Sequence, residues 1–240
     1  MESASDTRDG EPRFDAGRPS DVHHATHAHR YREHIRRLRP FLAGLARDLN
    51  VGDAARILDY GAAESPYRDF FPATAEYVAA DLPGNTRANL SLRPDGSVPV
   101  DDGSFDAVLS TQVLEHVADP ALYLSEAFRV LRPGGRLMLS THGTFIYHPD
   151  PEDYWRWTGA GLQRAATDAG FRIVRFEGMI GLLPTGLQLV QDAIYWHLPR
   201  LLRVPFAWLM QGLIALGDHL HGDESRRYNA QVYGVVAEKP

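Results

Sequence analysis

The sequence predicts an α/β fold in which a mostly parallel sheet carries helices on both faces. The first observation is residues 56–71, RILDYGAAESPYRDFF, where a short apolar run ends on Asp59 and leads into small residues. The second is residues 105–110, FDAVLS, a continuous apolar run typical of a strand buried on both faces. The third is the alternation of such runs with helical segments, which implies parallel strands joined by helices.

Composition fits one domain of this class with an additional segment. The chain has 240 residues, of which 44% are hydrophobic, enough for a substantial core. The formal net charge of −6 argues against general nucleic-acid binding. Cysteine is absent, which excludes disulfides and thiolate metal sites. The polar, charged N-terminus carries no secretory signal, so a cytoplasmic protein is expected.

The amino-terminal part divides into a tail and the start of the domain. Residues 1–20 are polar and are expected to be disordered, which leaves residues 21–240 as a single domain. The next nine residues contain four histidines. His27 follows His23 by four positions, so a metal site is conceivable, although a solvated helix start is favoured.

Residues 30–49 have apolar side chains spaced by three and four, which predicts an amphipathic helix, bent or restarted at Pro40. Because this helix precedes the first strand, we expect it to cover a ligand site. Tyr31 is then a candidate lid and substrate residue, with core packing as the favoured alternative.

The first predicted strand, residues 56–60, leads through small residues to Ser65 and Pro66, which suit the N-cap and first position of a helix. A strand, tight loop and helix start in this order can hold a nucleotide-like ligand. The other predicted strands are residues 77–80, 88–92, 105–110, 136–141, 171–176 and 231–238, and the other predicted helices are residues 120–131 and 160–169.

Polar side chains follow these strands at the edge where parallel sheets bind ligands. They are Asp59, Asp81, Thr111, Gln112 and His142. The segments ILDYGAAES, YVAADLPG, DGSFDAVLSTQVLEHVADP and VLRPGGRLMLS occur in the order and spacing found in class I S-adenosylmethionine-dependent methyltransferases, and residues 56–140 resemble that family. The resemblance implies a Rossmann-like fold with a seven-stranded, mostly parallel sheet and a helical insertion before the last strand.

The resemblance also implies S-adenosylmethionine as cofactor and a role for each residue near it. Asp59 and Gly61 would hold the methionine end of the cofactor, and the small residues Ala62 and Ala63 would let the backbone approach it. Asp81 would accept hydrogen bonds from the ribose hydroxyls, Leu82 would pack on the adenine, and Asp95 would accept a hydrogen bond from the adenine amino group. Gln112 and Val113 would line the side from which the methyl group is transferred. Ala63 and Ser65 stand where the family usually has glycine, which leaves the path of the loop open. The alternatives are a dinucleotide-binding oxidoreductase, which normally needs a third glycine here, and a methyltransferase-like binding module without catalysis.

Three histidines near the same edge are candidates for the base that an alcohol acceptor benefits from. His142 directly follows the fifth strand, and catalytic and structural roles are equally weighted for it. A packing or capping role is favoured for His116, and a loop role slightly for His148. Glu115 is a further candidate catalytic residue.

The later segment HPDPEDYWRWT, followed by a helix and Ala169-Gly170-Phe171, is similar to saccharide and polysaccharide O-methyltransferases such as those of methylmannose polysaccharide synthesis. That similarity predicts O-methylation of a saccharide or glycolipid hydroxyl, with a small-molecule or natural-product hydroxyl as the alternative. The segment contains Tyr154, Trp155 and Trp157, which suit either stacking on sugars or core packing. The substrate candidates are Tyr31, His148, Asp153, Tyr154 and Trp155. Asp150, Glu152 and Asp153, with His142, could hold Mg²⁺, although a solvated acidic turn is favoured.

Residues 181–221 are predicted to form a helical insertion rich in Leu, Ile and Trp. Its uninterrupted apolar stretch is too short for a membrane-spanning helix. A homodimer interface is favoured over a lid for a large acceptor, and a lid over a helix at a membrane surface.

Overall fold

The computed structural model describes residues 29–149 and 152–240. Outside the described residues lie the predicted tail, His23, His27 and Asp150. The metal site considered for the first histidine cluster therefore also falls outside them.

Seven strands form one sheet in the order β3-β2-β1-β4-β5-β7-β6. Strands β1 to β5 pair in parallel, and β7 runs antiparallel between β5 and β6. The strands are β1 (Arg56–Tyr60), β2 (Glu76–Asp81), β3 (Leu90–Ser91), β4 (Phe105–Thr111), β5 (Leu131–His142), β6 (Arg172–Met179) and β7 (Val232–Glu238). The predicted class of fold is confirmed.

The described helices are α1 (Arg32–Ala46), α2 (Pro120–Val130), α3 (Gly159–Asp168), α4 (Leu182–Tyr195), α5 (Arg200–Asp218) and α6 (Asp223–Tyr228). Helix α1 extends at both ends as 3₁₀ turns, His29–Tyr31 and Arg47–Leu49, and contains Pro40. Helices α4 to α6 lie between β6 and β7. Within the described chain, no helix is long and apolar enough to cross a membrane.

The core has two layers because successive strand residues face opposite sides of the sheet. Leu58 packs in one layer with residues of α2 and α3, whereas its neighbour Ile57 packs in the other with Leu42 and Leu45 of α1. Both layers are buried, which explains why the central strands read as continuous apolar runs.

The helix predicted at Pro66 is absent, and only a 3₁₀ turn, Arg68–Phe70, follows β1. Ser65 adopts φ 52°, which is not the extended conformation of an N-cap residue. Pro72 comes too soon for a full helix to develop. The Arg68 guanidinium instead donates to the carbonyl oxygens of Phe71, Pro72, Ala73 and Ala75, so a side chain satisfies the groups that a helix would have paired.

Glutamines from the insertion fasten the chain just before α1. The backbone carbonyl oxygen of Arg30 accepts hydrogen bonds from Nε2 of Gln188, Gln191 and Gln211, at 3.3, 2.8 and 2.8 Å. Oε1 of Gln211 accepts from the backbone N–H of Glu33 at 2.9 Å. The insertion therefore holds the first turn of α1 over the carboxyl edge of the sheet.

Candidate functional site

The carboxyl ends of β1, β2 and β4 lie side by side and form a cradle of small and polar residues. Gly61, directly after β1, has φ 82°, and a Cβ atom there would lie 2.6 Å from Cγ2 of Val113. Only glycine fits this close approach without strain. The backbone N–H groups of Gly61 and Ala62 both donate to the carbonyl oxygen of Ala80, which joins the loop to β2.

Asp59 lies beneath this loop with its carboxylate buried. Its Oδ2 accepts a hydrogen bond from the Tyr77 hydroxyl at 2.6 Å. Burial raises the pKa of Asp59 to about 7, helped by the charge of Asp81 and opposed by hydrogen bonds from Tyr77 and Ser65. The carboxyl group can therefore gain or lose its proton near neutral pH.

Asp81 ends β2 and faces the loop. Its Oδ2 accepts from the backbone N–H of Ala63 at 2.9 Å and from Nδ2 of Asn85 at 2.7 Å, and its Oδ1 accepts from the N–H of Leu82 at 2.8 Å. The side chain of Leu82 is 46% exposed beside this carboxylate. A carboxylate that accepts hydrogen bonds suits a ribose, and the exposed apolar side chain of Leu82 beside it suits an adenine.

Gln112 follows β4 with φ 55°, and its Nε2 donates to Oγ of Ser140 at 3.0 Å. Its Oε1 is buried and has no hydrogen-bond partner. A buried orphan acceptor is costly and indicates a missing donor, and a cofactor ammonium would supply one. Asp95 lies in the loop after β3, where its Oδ1 accepts from N and Oγ of Ser97 at 3.0 and 2.7 Å. The cradle thus fits the cofactor that the sequence predicts.

Glu115 and His142 meet beyond the ends of β4 and β5. Oε1 of Glu115 lies 2.5 Å from Nδ1 of His142, although the two atoms are not aligned as a regular hydrogen bond. Oε2 of Glu115 accepts from the Thr141 hydroxyl at 2.7 Å. Burial opposes ionisation of Glu115, but the nearby His142 and these contacts outweigh it and lower the pKa of the carboxyl group. Glu115 is therefore a buried, ionised carboxylate that lies against the imidazole of His142.

Other aromatic rings surround His142. Phe145 stacks on it with ring centroids 4.2 Å apart, and the ring of His148 meets it edge-on at 4.5 Å. His34 of α1 lies 6.1 Å away and contacts Oε1 of Gln231 at 2.8 Å. Burial lowers the pKa of both His34 and His148 to about 4. Both are therefore neutral and weakly basic at pH 7.

Sequence reasoning missed His34 and Phe145. The spacing of α1 predicts its apolar face, but nothing in the sequence indicates which later residue that helix meets. His116 lies at the rim of the same group, where its Nδ1 contacts the backbone carbonyl oxygen of Glu152 at 2.5 Å and its ring meets His148 edge-on. These contacts agree with a packing role.

The segment DYWRWT fastens Glu115 and His142 through its backbone. The N–H groups of Tyr154 and Trp155 both donate to the carbonyl oxygen of Glu115, at 2.8 and 3.1 Å. The N–H of Trp157 donates to the carbonyl oxygen of His142 at 3.0 Å. Part of this aromatic segment thus holds the two candidate catalytic residues together, while the side chains of Tyr154 and Trp155 stay exposed.

Asp153 is engaged within the protein. Its side chain is 1% exposed, and its oxygens accept from Nη1 and Nη2 of Arg156 at 2.6 Å each. Oδ2 of Asp153 also accepts from the backbone N–H of His148 at 2.8 Å. These bonds leave Asp153 poorly suited to hold Mg²⁺ or a sugar hydroxyl. Glu152 is exposed, and only its backbone is used in the contacts described above.

Tyr31 lies near the aromatic group but points its hydroxyl elsewhere. Its ring centroid is 6.1 Å from that of Phe145, and its hydroxyl donates to Oδ2 of Asp192 at 3.1 Å. Burial and the neighbouring Asp192 raise its pKa well above the usual range. Tyr31 therefore belongs to the wall between α1 and the insertion.

Comparisons with known proteins agree with this cradle. Residues 51–139 match the family model of a methyltransferase domain. A protein of Mycolicibacterium smegmatis named probable S-adenosylmethionine-dependent methyltransferase is 38% identical over 111 residues, which are 44% of this chain and 42% of that protein. A ubiquinone biosynthesis O-methyltransferase of Xanthomonas oryzae pv. oryzae is 37% identical over 92 residues, 38% of this chain and 30% of that protein. The chain thus spans less than half the length of these relatives.

Solved structures share the fold across most of the chain. The [4+2]-cyclase SpnF has a TM-score of 0.55 and 19% identity, covering 84% of this chain and 80% of its own. The 1,6-didemethyltoxoflavin-N1-methyltransferase of Burkholderia thailandensis, solved with bound 1,6-didemethyltoxoflavin and S-adenosylhomocysteine, has a TM-score of 0.52 and 17% identity, covering 92% of this chain and 86% of its own. At these identities the likeness shows the fold alone.

The matched residues 51–139 hold β1, β2 and β4, and so contain every part of the cradle described above, from Asp59 to Val113. This part of the chain, residues 51–139, is therefore similar to a methyltransferase domain, and the curated relatives that it matches include a probable S-adenosylmethionine-dependent methyltransferase.

Proposed function

We propose that the protein is an O-methyltransferase in which His142 takes the proton of the acceptor hydroxyl. The observation that carries this proposal is the buried Glu115–His142 pair at the carboxyl edge of β4 and β5, close in sequence to the cofactor residues Gln112 and Val113. The two neighbouring histidines, half-buried His34 and buried His148, both have a lowered pKa and are weak bases.

The chemistry divides between cofactor and chain. S-adenosylmethionine, when bound, supplies a methyl group that is electrophilic because it is attached to a sulfonium. The chain aligns the acceptor oxygen and removes its proton. With Nδ1 of His142 towards Glu115, Nε2 of the imidazole accepts the proton, and the Glu115 carboxylate stabilises the resulting imidazolium, as in other base–carboxylate pairs.

A saccharide or glycolipid hydroxyl is the proposed acceptor. The similarity of HPDPEDYWRWT to saccharide O-methyltransferases supports it, as do the exposed side chains of Tyr154 and Trp155 beside the pair. Aromatic faces of this kind can stack on sugar rings.

A small-molecule hydroxyl is the second candidate. Several relatives are named ubiquinone biosynthesis O-methyltransferase, which favours an acceptor with an aromatic ring. The apolar stacking partner Phe145 is consistent with such a ring.

A second copy of the chain is the proposed partner for helix α5. Its buried residues face the protein, whereas Leu201, Leu209 and Leu216 are largely exposed on its other side. Monomers in solution rarely expose a large continuous apolar surface. A homodimer would cover this face.

The acceptor class is tested by incubating the protein with S-adenosylmethionine labelled in the methyl group and extracts of polysaccharide, glycolipid, quinol, protein and nucleic acid. Label in the polysaccharide or glycolipid fraction supports the saccharide proposal, and label confined to quinols supports the second candidate. Label only in protein or nucleic acid would overturn both.

The role of His142 is tested in the same assay. His142→Ala should lower turnover by about 10²–10⁴-fold with cofactor affinity unchanged, since a base contributes about that factor. His142→Asn should not restore activity, because an amide cannot take up the proton. The matched control is His197→Ala, which removes an exposed histidine between α4 and α5. Unchanged turnover and an unchanged pH–rate profile in His142→Ala would show that the base lies elsewhere.

A further inference from the structure

Three buried side chains with metal-ligating atoms converge at the end of β5. Glu115, His142 and His148 are 0%, 4% and 6% exposed. Each offers one ligand atom, and the three atoms lie within 4.8 Å of one another. Exposed acidic clusters are common without function, but two imidazoles and a carboxylate are rarely buried together unless paired or ligating.

Two atoms of this group lack hydrogen-bond partners. Oε1 of Glu115 and Nδ1 of His142 are both buried and unpartnered, although only 2.5 Å separates them. The two atoms lie side by side, without the alignment of a donor facing an acceptor. A bound ion would satisfy both of these buried, unpartnered atoms.

Residues around the group would orient these ligands. The Thr141 hydroxyl fixes the other oxygen of Glu115 at 2.7 Å. Nδ1 of His148 lies 3.4 Å from Oδ2 of Asp153, whose own charge is balanced by Arg156. A carboxylate behind a histidine is the usual support for a metal-ligating imidazole.

We propose that Glu115, His142 and His148 bind one divalent ion of the zinc and cobalt class. Two imidazoles and one carboxylate suit Zn²⁺ and similar transition metals, and three protein ligands leave a fourth position open. Mg²⁺ prefers six oxygens in octahedral geometry, and this site does not provide them. The proposed ion thus differs in class from the Mg²⁺ expected at Asp150, Glu152 and Asp153 with His142, and the two sites share only His142.

This site does not depend on the proposed methyl transfer, but it has a consequence for it. An ion coordinated by His142 competes with the proton that the imidazole is proposed to accept. Added Zn²⁺ should therefore inhibit methyl transfer, and a chelator should restore it.

The test is metal binding by chelator-treated protein in the absence of cofactor and acceptor. The four histidines of residues 21–29 are first replaced by alanine, so that they cannot contribute. Titration with Co²⁺, followed by visible absorption, should then give one ion per chain, and calorimetry with Zn²⁺ should give the same stoichiometry. Mg²⁺ should not displace either ion.

Glu115→Gln and His148→Ala should each weaken Co²⁺ binding by at least about 10–100-fold, the loss seen when only a supporting residue is removed. His197→Ala is the matched control and should bind as the parent does. Retained affinity for S-adenosylhomocysteine shows that each variant is folded. Absence of Co²⁺ binding in the parent, or binding that neither variant weakens, would overturn the proposed site while leaving the methyl-transfer proposal to its own assay.

Discussion

The backbone N–H of Trp157 donates to the carbonyl oxygen of His142 over 3.0 Å, so the residue proposed as base is held by the segment that follows it in the chain. The neighbouring N–H groups of Tyr154 and Trp155 hold Glu115 in the same way. A single segment, residues 154–157, therefore fixes the separation of the two partners.

Replacing Asp81 should weaken cofactor binding. Oδ1 of Asp81 has one acceptor position beyond its bond to the N–H of Leu82, whereas Oδ2 already accepts from two groups. A hydrogen bond to a charged group contributes roughly 1.5–3 kcal/mol. Calorimetry with S-adenosylhomocysteine should thus show a loss of at least about tenfold in Asp81→Ala. The exposed Asp101→Ala is the control, and unchanged affinity in Asp81→Ala would contradict the assignment.

Cofactor affinity should depend on pH through Asp59. The pKa of its buried carboxyl group is raised to about 7, so below that pH the group holds a proton. A cationic ammonium favours the carboxylate, so binding must release the proton. Affinity for S-adenosylhomocysteine should therefore fall as pH drops below 7, by up to about tenfold per pH unit.

Asp59→Asn removes this titration, so its affinity should be lower at pH 8 and nearly constant from pH 5 to 8. A pH-independent affinity in the unmodified protein would mean that Asp59 does not face the ammonium. The unliganded domain should also lose stability as pH rises from about 4 to 7, since the unfolded carboxyl gives up its proton first.

Removing Arg156 should destabilise the fold. Arg156→Ala leaves the buried Asp153 carboxylate without its partner. Because Arg156 is itself 28% exposed, the cost should lie below the figure of about 3–5 kcal/mol for a fully buried pair. Chemical denaturation should detect this loss, and the second change Asp153→Asn should recover part of it. The control is Arg164→Ala, whose pair with Asp168 is exposed and should contribute less than about 1 kcal/mol. Equal effects in the two arginine variants would refute this account.

A charge on the exposed face of α5 should separate the proposed dimer. Leu209 is 63% exposed there, and Leu209→Arg should shift sedimentation from a dimer to the 26.8 kDa chain. Tyr228→Arg, an equally exposed position on α6, should leave the dimer intact. A protein that sediments as one chain before any substitution would remove the dimer from the proposal.

The strands, and the placement of Asp59 and Asp81 at the edge of the sheet, could be predicted because their signals are local. Buried strands are continuous apolar runs, and Asp59 and Asp81 lie at the ends of two of them. The prediction of a helix at Pro66 is wrong because Ser65 adopts a left-handed conformation that depends on the loop around it. A left-handed backbone conformation at a serine cannot be predicted from the residue type.

The surroundings of His142 could be predicted only in part. His142 and His148 were identified by their position after β5, but the proximity of His34 depends on how α1 packs over the sheet. The segment around Asp153 was expected to contact a ligand. Its carboxylate bonds to Arg156, three positions away, while its backbone N–H groups bond to the carbonyl oxygens of Glu115 and His142. These backbone bonds could not be predicted, because they join segments that lie apart in the sequence.

The carbonyl oxygen of Arg30 takes partners that lie 158 to 181 positions further along the chain. Contacts of such sequence separation form late, because the intervening chain must lose its freedom before they are made. During synthesis, the segment before α1 leaves the ribosome early, and its hydrogen-bond partners on α4 and α5 are made only later. The contact between the start of α1 and the insertion is therefore expected to form last in folding, and amide hydrogen exchange should find it the first part to open.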